Sequence, residues 1–204
     1  MPVYEPGKPI EEVARELGFG DEAEISKLAS NENALGPSPK ALAAMRDVAA
    51  KMHLYPDGGA YRLRGALAAR LDVRPEQVLV TNGSNEAIVL LASAFLGPDT
   101  GIVMADRAFV VYKLVASAWR AETIQVPMKD FTHDLEAMLL AIRANTRIVF
   151  ISNPNNPTST MVTQDAIARF MDRVPDHVLV CFDEAYIELL DPGRQPDTLR
   201  YARE

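Results

Sequence analysis

A single cysteine, Cys181, leaves this 204-residue chain without any internal disulfide. Cys181 closes the apolar run Val178-Leu179-Val180-Cys181 and so reads as a buried, inert thiol. Basic residues are in the minority. The 21 Lys and Arg against 28 Asp and Glu give a net charge of -7, which argues against nucleic acid or an anionic membrane as a partner. Long hydrophobic runs are missing as well. The longest, from Ala87 to Leu96 with Ser93 inside it, is too short to span a bilayer. Residues Met1 to Glu5 lack the basic and apolar regions of a signal peptide, so the expected location is the cytoplasm. The histidines, His53, His133 and His177, have no metal-ligand spacing, and no metal site is expected. There is neither a Gly-x-Gly-x-x-Gly fingerprint nor a Walker-type loop. What is present, 48% hydrophobic and 24% charged, is the composition of an ordinary globular domain with room for a sizeable core.

Residues 1–36 read as an N-terminal arm, with a short helix near 9–17 stopped at Gly18. Ser38-Pro39 then opens a helix, Ser38 as N-cap and Pro39 at the first position, that runs through Ala50. Tyr55-Pro56-Asp57-Gly58 is turn chemistry, residues 60–71 form another helix, and Arg74-Pro75-Glu76 is a turn. From Gln77 the pattern alternates. Strands are expected at 77–81, 101–105, 122–126, 147–152 and 177–182, with helices at 84–96, 109–119, 134–143 and 162–173. This is an α/β layout, doubly wound about a mostly parallel sheet. Residues 37–204 would form that domain.

Two polar segments follow buried strands: Ser152-Asn153-Pro154-Asn155-Asn156-Pro157-Thr158, and Asp183-Glu184-Ala185-Tyr186. In such a sheet both emerge at the carboxyl ends of parallel strands, where open α/β sheets bind ligands. That places an Asn, an Asp and a Tyr at one crevice. The set suits pyridoxal 5'-phosphate, with Asp183 on the pyridinium nitrogen and Asn156 and Tyr186 on the phenolic oxygen. An Asp opposite the ring nitrogen keeps that nitrogen protonated and makes the ring a better electron sink. Each residue also has a plainer reading, Asp183 as a strand-end turn residue and Asn156 as a loop amide. Thr81-Asn82-Gly83-Ser84-Asn85 joins a strand to a nearly all-apolar helix. Its helix N-terminus is either an anion site or simply capped by Ser84. Phe109 follows the strand at 101–105 by a short loop; it either stacks on a ring or belongs to the core, and Tyr112 is a weaker stacking candidate.

With Tyr4 to Val13, Leu28 to Asn33, Tyr55 to Gly58, Thr81 to Glu86 and the two polar segments in this order, the chain resembles the fold-type I enzymes of the class I/II aminotransferase group. Within it the resemblance is to the histidinol-phosphate aminotransferases. It implies the N-terminal part of a large pyridoxal-phosphate domain. It also implies amino transfer between L-histidinol phosphate and 2-oxoglutarate in histidine biosynthesis, by a homodimer. Ser84 and Asn85 would contact the cofactor phosphate, Tyr55 would reach the phosphate of the neighbouring subunit, and Tyr4 and Asn31 would lie in segments that close over the substrate. Close alternatives are an aromatic-amino-acid aminotransferase and a threonine-phosphate decarboxylase; another is a non-catalytic module that binds pyridoxal phosphate or another phosphate ligand. The family loop reads Asn-Pro-Thr-Gly where this chain has Asn156-Pro157-Thr158-Ser159, which removes a glycine able to take positive φ.

The Schiff-base lysine of that family has no counterpart. Lys8, Lys27, Lys40, Lys51, Lys113 and Lys129 all precede the cofactor loops, and none follows Asp183. Arg194, Arg200 and Arg203 do not match the arginine that grips the substrate carboxylate. The sequence is therefore expected to be truncated, to lack the C-terminal part and small domain, and to be inactive alone.

Overall fold

Two runs with hardly a charge, Gly101–Ala105 (β1) and Thr146–Ser152 (β3), sit side by side at the middle of a four-stranded parallel sheet. Glu122–Val126 (β2) and Leu179–Asp183 (β4) are its edges, giving the order β2-β1-β3-β4. Burial follows position. All of β1 is buried, while β2 and β4 show solvent along much of their length. Near-continuous apolar strands are what a parallel sheet covered on both faces requires. The computed structural model describes residues 8–19, 25–26, 28 and 30–203. The chain divides into two compact units, Met1–Gly58 and Gly59–Glu204.

In the second unit, Ile102, Met104, Ile148 and Phe150 pack against Gly83–Phe95 (α4) and Val111–Ala118 (α5). The alternate residues Val103, Val149 and Ile151 pack against Leu135–Leu140 (α6) and Gln164–Met171 (α7) on the other face. Each fully buried Ile, Val or Phe contributes roughly 1.5–3 kcal/mol of burial, so these two layers hold the sheet. The expected doubly wound α/β arrangement is present. The helix after β1 covers one face and the helix after β3 the other, so the order reverses between β1 and β3. That reversal is a topological switch point, and it opens a crevice at the strands' carboxyl ends.

One expected strand is not there. Residues 78–81 pair with no strand among the described residues, and Leu79 is 71% exposed. Apolar alternation alone cannot make a strand; it needs a hydrogen-bonding neighbour. The other differences are at ends. Helix α6 ends at Leu140, with Ala141 as C-cap, short of Arg143, whose N–H donates to the Thr146 hydroxyl instead of a helical carbonyl (2.9 Å). Helix α7 begins at Gln164, with Thr163 as N-cap, its hydroxyl accepting the Ala166 N–H at 3.2 Å. The C-terminal segment returns to Tyr61–Leu71 (α3), where the Arg203 guanidinium donates to the carbonyls of Leu71 (2.8 Å) and Asp72 (3.0 Å).

The first unit contains Ile10–Leu17 (α1) and Pro39–Ala49 (α2). Gly18 ends α1 in the left-handed region (φ +73°), and the next N–H, that of Phe19, returns to the Ala14 carbonyl. Pro39 takes the first position of α2 as expected, although Ser38 makes no side-chain capping bond. Leu42, Met45 and Val48 of α2 are exposed.

Candidate active site

Asp183 is the last residue of β4 and is only 8% exposed. One carboxylate oxygen, Oδ2, accepts the Tyr112 hydroxyl at 2.6 Å, and Oδ1 accepts the Ala185 N–H at 3.3 Å. Its own carbonyl accepts the Asn153 N–H, which carries the β3–β4 ladder one step beyond the paired register Ser152–Asp183. Asn156 sits in the loop after β3, half-buried, and its amide nitrogen lies 3.4 Å from the Tyr186 hydroxyl. Asn156, Asp183 and Tyr186, read from sequence as one group, are thus gathered at the carboxyl ends of β3 and β4.

The loop that carries Asn156 is held by the two asparagines before it. Asn153 is fully buried; its Oδ1 accepts the Val162 N–H and its Nδ2 donates to the Val162 carbonyl. Asn155 donates to the Arg107 carbonyl (3.1 Å) and to the Thr158 hydroxyl (2.8 Å), while its oxygen meets His133 Nε2 at 3.2 Å. The bond to Arg107 ties this loop to the one after β1, across the switch point. Both X-Pro bonds in the loop, Asn153-Pro154 and Asn156-Pro157, are cis. Ser159 occupies the left-handed region at φ +59°, where a glycine would be unstrained.

Phe109 lies on the β1 side of the crevice, partly buried, with its ring edge-on to Tyr112 at 5.7 Å. Tyr112 is not at the surface of the crevice. It is fully buried and stacks on Phe150 (4.5 Å between centroids, 4° between planes), so it supports the site from beneath. Burial, then the Asp183 carboxylate, pushes its phenol well above the usual range, so it stays a neutral donor. The sequence signal for this was available, a tyrosine one turn into the helix after β1, but its partner lies 71 residues away. Cys181 is only half-buried, because β4 is an edge strand; its partial burial still pushes the thiol up to about 12. His133 is buried, with its Nε2 on the Asn155 side chain. Among the described residues no three metal-ligating side chains gather at one point, and no helix is long and apolar enough to cross a membrane.

Helix α4 returns to β1 through a short connection, Leu96 to Thr100, so its C-terminal end meets the start of β1 and its first turn lies toward the carboxyl ends of the strands. Ser84 and Asn85 stand exposed in that turn. Gly83 enters it at φ +72°. The Glu86 carboxylate accepts the Asn82 N–H (2.6 Å) and side-chain amide (2.9 Å), and these bonds hold its pKa below the usual carboxylate range. In the first unit, Tyr55 is fully exposed and Asn31 is exposed with φ +50°. Tyr4 lies outside the described residues.

A parallel three-layer fold with a buried acid and an amide–phenol pair at the carboxyl ends of β3 and β4 is that of an open α/β domain with a ligand crevice at that edge. Residues 23–199 match the family described as aminotransferase class I and II. The chain belongs to that family. It is similar to histidinol-phosphate aminotransferase of Akkermansia muciniphila, 52% identical over 98% of this chain and 55% of that protein. It is equally similar to histidinol-phosphate aminotransferase 1 of Thiobacillus denitrificans, 52% identical over 96% of this chain and 50% of that protein. The chain thus spans about half the length of these curated relatives. Among solved structures, the histidinol-phosphate aminotransferase of Sinorhizobium meliloti in complex with pyridoxal 5'-phosphate superposes with a TM-score of 0.82. That match has 25% identity over 94% of this chain and 51% of the other. Pyridoxal 5'-phosphate is the cofactor of the family.

Proposed function

We propose that this chain carries the cofactor-binding part of an aminotransferase that exchanges an amino group between L-histidinol phosphate and 2-oxoglutarate in histidine biosynthesis. The observation that carries the reading is the grouping of buried Asp183 with the Asn156–Tyr186 pair at the carboxyl ends of β3 and β4. The donor set fits pyridoxal phosphate. A carboxylate suits a protonated ring nitrogen, an amide and a phenol suit an oxyanion, and a helix N-terminus with a hydroxyl suits a phosphate. When bound, the cofactor supplies the electron sink that amino transfer requires.

On this reading Asp183 holds the proton at the ring nitrogen, and Asn156 and Tyr186 hold the phenolic oxygen. Phe109 would cover the ring, and Ser84 and Asn85 would bind the phosphate. Tyr55 serves the phosphate of a second subunit in a homodimer, and Tyr4 and Asn31 belong to segments near the substrate. The names of the relatives at 52% identity support histidinol phosphate as the amino donor. No lysine follows Lys129, so none of these 204 residues matches the Schiff-base lysine, and the chain alone is expected not to turn over substrate.

The test is a titration of the pure chain with pyridoxal phosphate, followed by an assay with histidinol phosphate and 2-oxoglutarate. Saturable binding that Asp183→Asn weakens, with no turnover, is the expected result. Absence of binding overturns the cofactor reading, and cofactor-dependent turnover overturns the inactivity. The amino donor is checked on the product of the native gene read past the Glu204 codon. A preference there for aromatic amino acids or threonine phosphate overturns histidinol phosphate.

A further inference from the structure

The geometry points to Tyr112 as a positioning residue that fixes the Asp183 carboxylate toward the ring nitrogen of the cofactor. The inference rests on the pyridoxal-phosphate reading of the site. An aspartate carboxylate turns freely about its last torsion, which has a broad, roughly two-fold profile. Here two donors from different elements remove that freedom. The Tyr112 hydroxyl holds Oδ2 at 2.6 Å, and the Ala185 N–H approaches Oδ1 at 3.3 Å. A hydrogen bond to a carboxylate is short and strong when its donor is held in place.

The donor is held. Tyr112 has no exposed surface, its ring lies parallel to Phe150 at 4.5 Å, and Phe109 meets its face edge-on at 5.7 Å. Phe150 belongs to the central strand β3, so the phenol is referenced to the most buried part of the sheet. A carboxylate has about four acceptor positions, so the two bonds leave capacity on Asp183 for one further partner. Phe109 and Asp183 flank Tyr112, one through its ring and the other through its hydroxyl. The aromatic for the ring face and the acid for the ring nitrogen therefore share one buried support.

The test compares two ligands of the 204-residue chain, pyridoxal 5'-phosphate and its 1-deaza analogue, in which C–H replaces the ring nitrogen. The wild type is expected to prefer pyridoxal phosphate. Tyr112→Phe is expected to shrink that preference by about tenfold while leaving affinity for the deaza analogue in place, since a hydrogen bond to a charged group is worth roughly one such factor. In an Asp183→Asn background, Tyr112→Phe is expected to change the preference no further. Equal weakening of both ligands, or an unchanged preference, overturns the positioning role and leaves the cofactor reading standing. A wild type that binds neither ligand overturns both. Should Tyr112→Phe fail to fold, 3-fluorotyrosine at this position keeps the ring and a stronger hydroxyl donor; it is expected to retain or raise the preference, and a fall overturns the proposal.

Discussion

Asn153 is fully buried and clasps both backbone groups of Val162, whereas Ser84 stands exposed in the first turn of α4 with no hydrogen-bond partner among the described residues. The contrast extends to their surroundings. At the β3–β4 end, Asn155 is bonded to His133, Thr158 and the Arg107 carbonyl, and Tyr112 of α5 is bonded to Asp183. At the α4 end, the turn is set by neighbours within four residues: Thr81 to the Gly83 carbonyl, and Asn82 to Glu86. The first end is fixed by tertiary contacts before any ligand arrives. The second is a helix terminus whose free N–H groups would be satisfied by water or by an anion.

Asn153→Ala breaks the comparison at its strongest point. It orphans a buried N–H and a buried carbonyl at Val162, so the expected loss is about 3 kcal/mol, or roughly 6–12 °C in a thermal melt. A loss below about 1 kcal/mol would show that the loop is held elsewhere. The next effect is on pH. Burial, partly offset by the Asn155 bond, holds the His133 imidazole below its usual range. As pH falls through the ordinary imidazole value of about 6.5, the unfolded chain takes up a proton that the folded chain refuses, so stability falls. Urea melts between pH 7.5 and 5 should show this slope in the wild type and a shallower one in His133→Gln; equal slopes would remove His133 from the account.

Ser159→Gly sharpens the comparison. It relieves a left-handed φ in the same loop at some cost in chain entropy, for a net gain of about 0.5 kcal/mol. A net loss would mean that Ser159 makes a contact worth more than its strain. The smallest effect belongs to Ser84→Ala. With no partner to lose, stability should stay within about 0.5 kcal/mol of wild type, and only affinity for the phosphate-bearing ligand should drop. A clear destabilisation would make Ser84 a structural cap after all.

Much of this was legible in the sequence. Residues 101–105 and 122–126 are strands as expected, and the spans at 147–152 and 177–182 differ by a residue or two at their ends. The apolar runs allow no other burial, and Gly, Pro and Asn mark their ends. Asn156, Asp183 and Tyr186 could be grouped because two parallel strands deliver them to the same edge. Tyr112 was harder to place, because a tyrosine in an apolar helix looks the same whether its hydroxyl meets water, a ligand or a carboxylate. The strand expected at 77–81 went astray for a related reason, since the pattern of Leu79 and its neighbours describes faces and says nothing about whether a hydrogen-bonding neighbour lies alongside.

Periodicity and turn chemistry by themselves determined the four strands that form, the doubly wound layout of the sheet, and the edge at which the polar loops emerge. These follow from local sterics and from the burial of apolar side chains, both properties of short stretches of chain. Only the tertiary structure decided that Tyr112 bonds Asp183 and that Asn155 bridges two loops to His133. Each of these depends on groups distant in sequence reaching hydrogen-bonding distance, and a hydrogen bond depends on distance and angle that residue type alone does not specify.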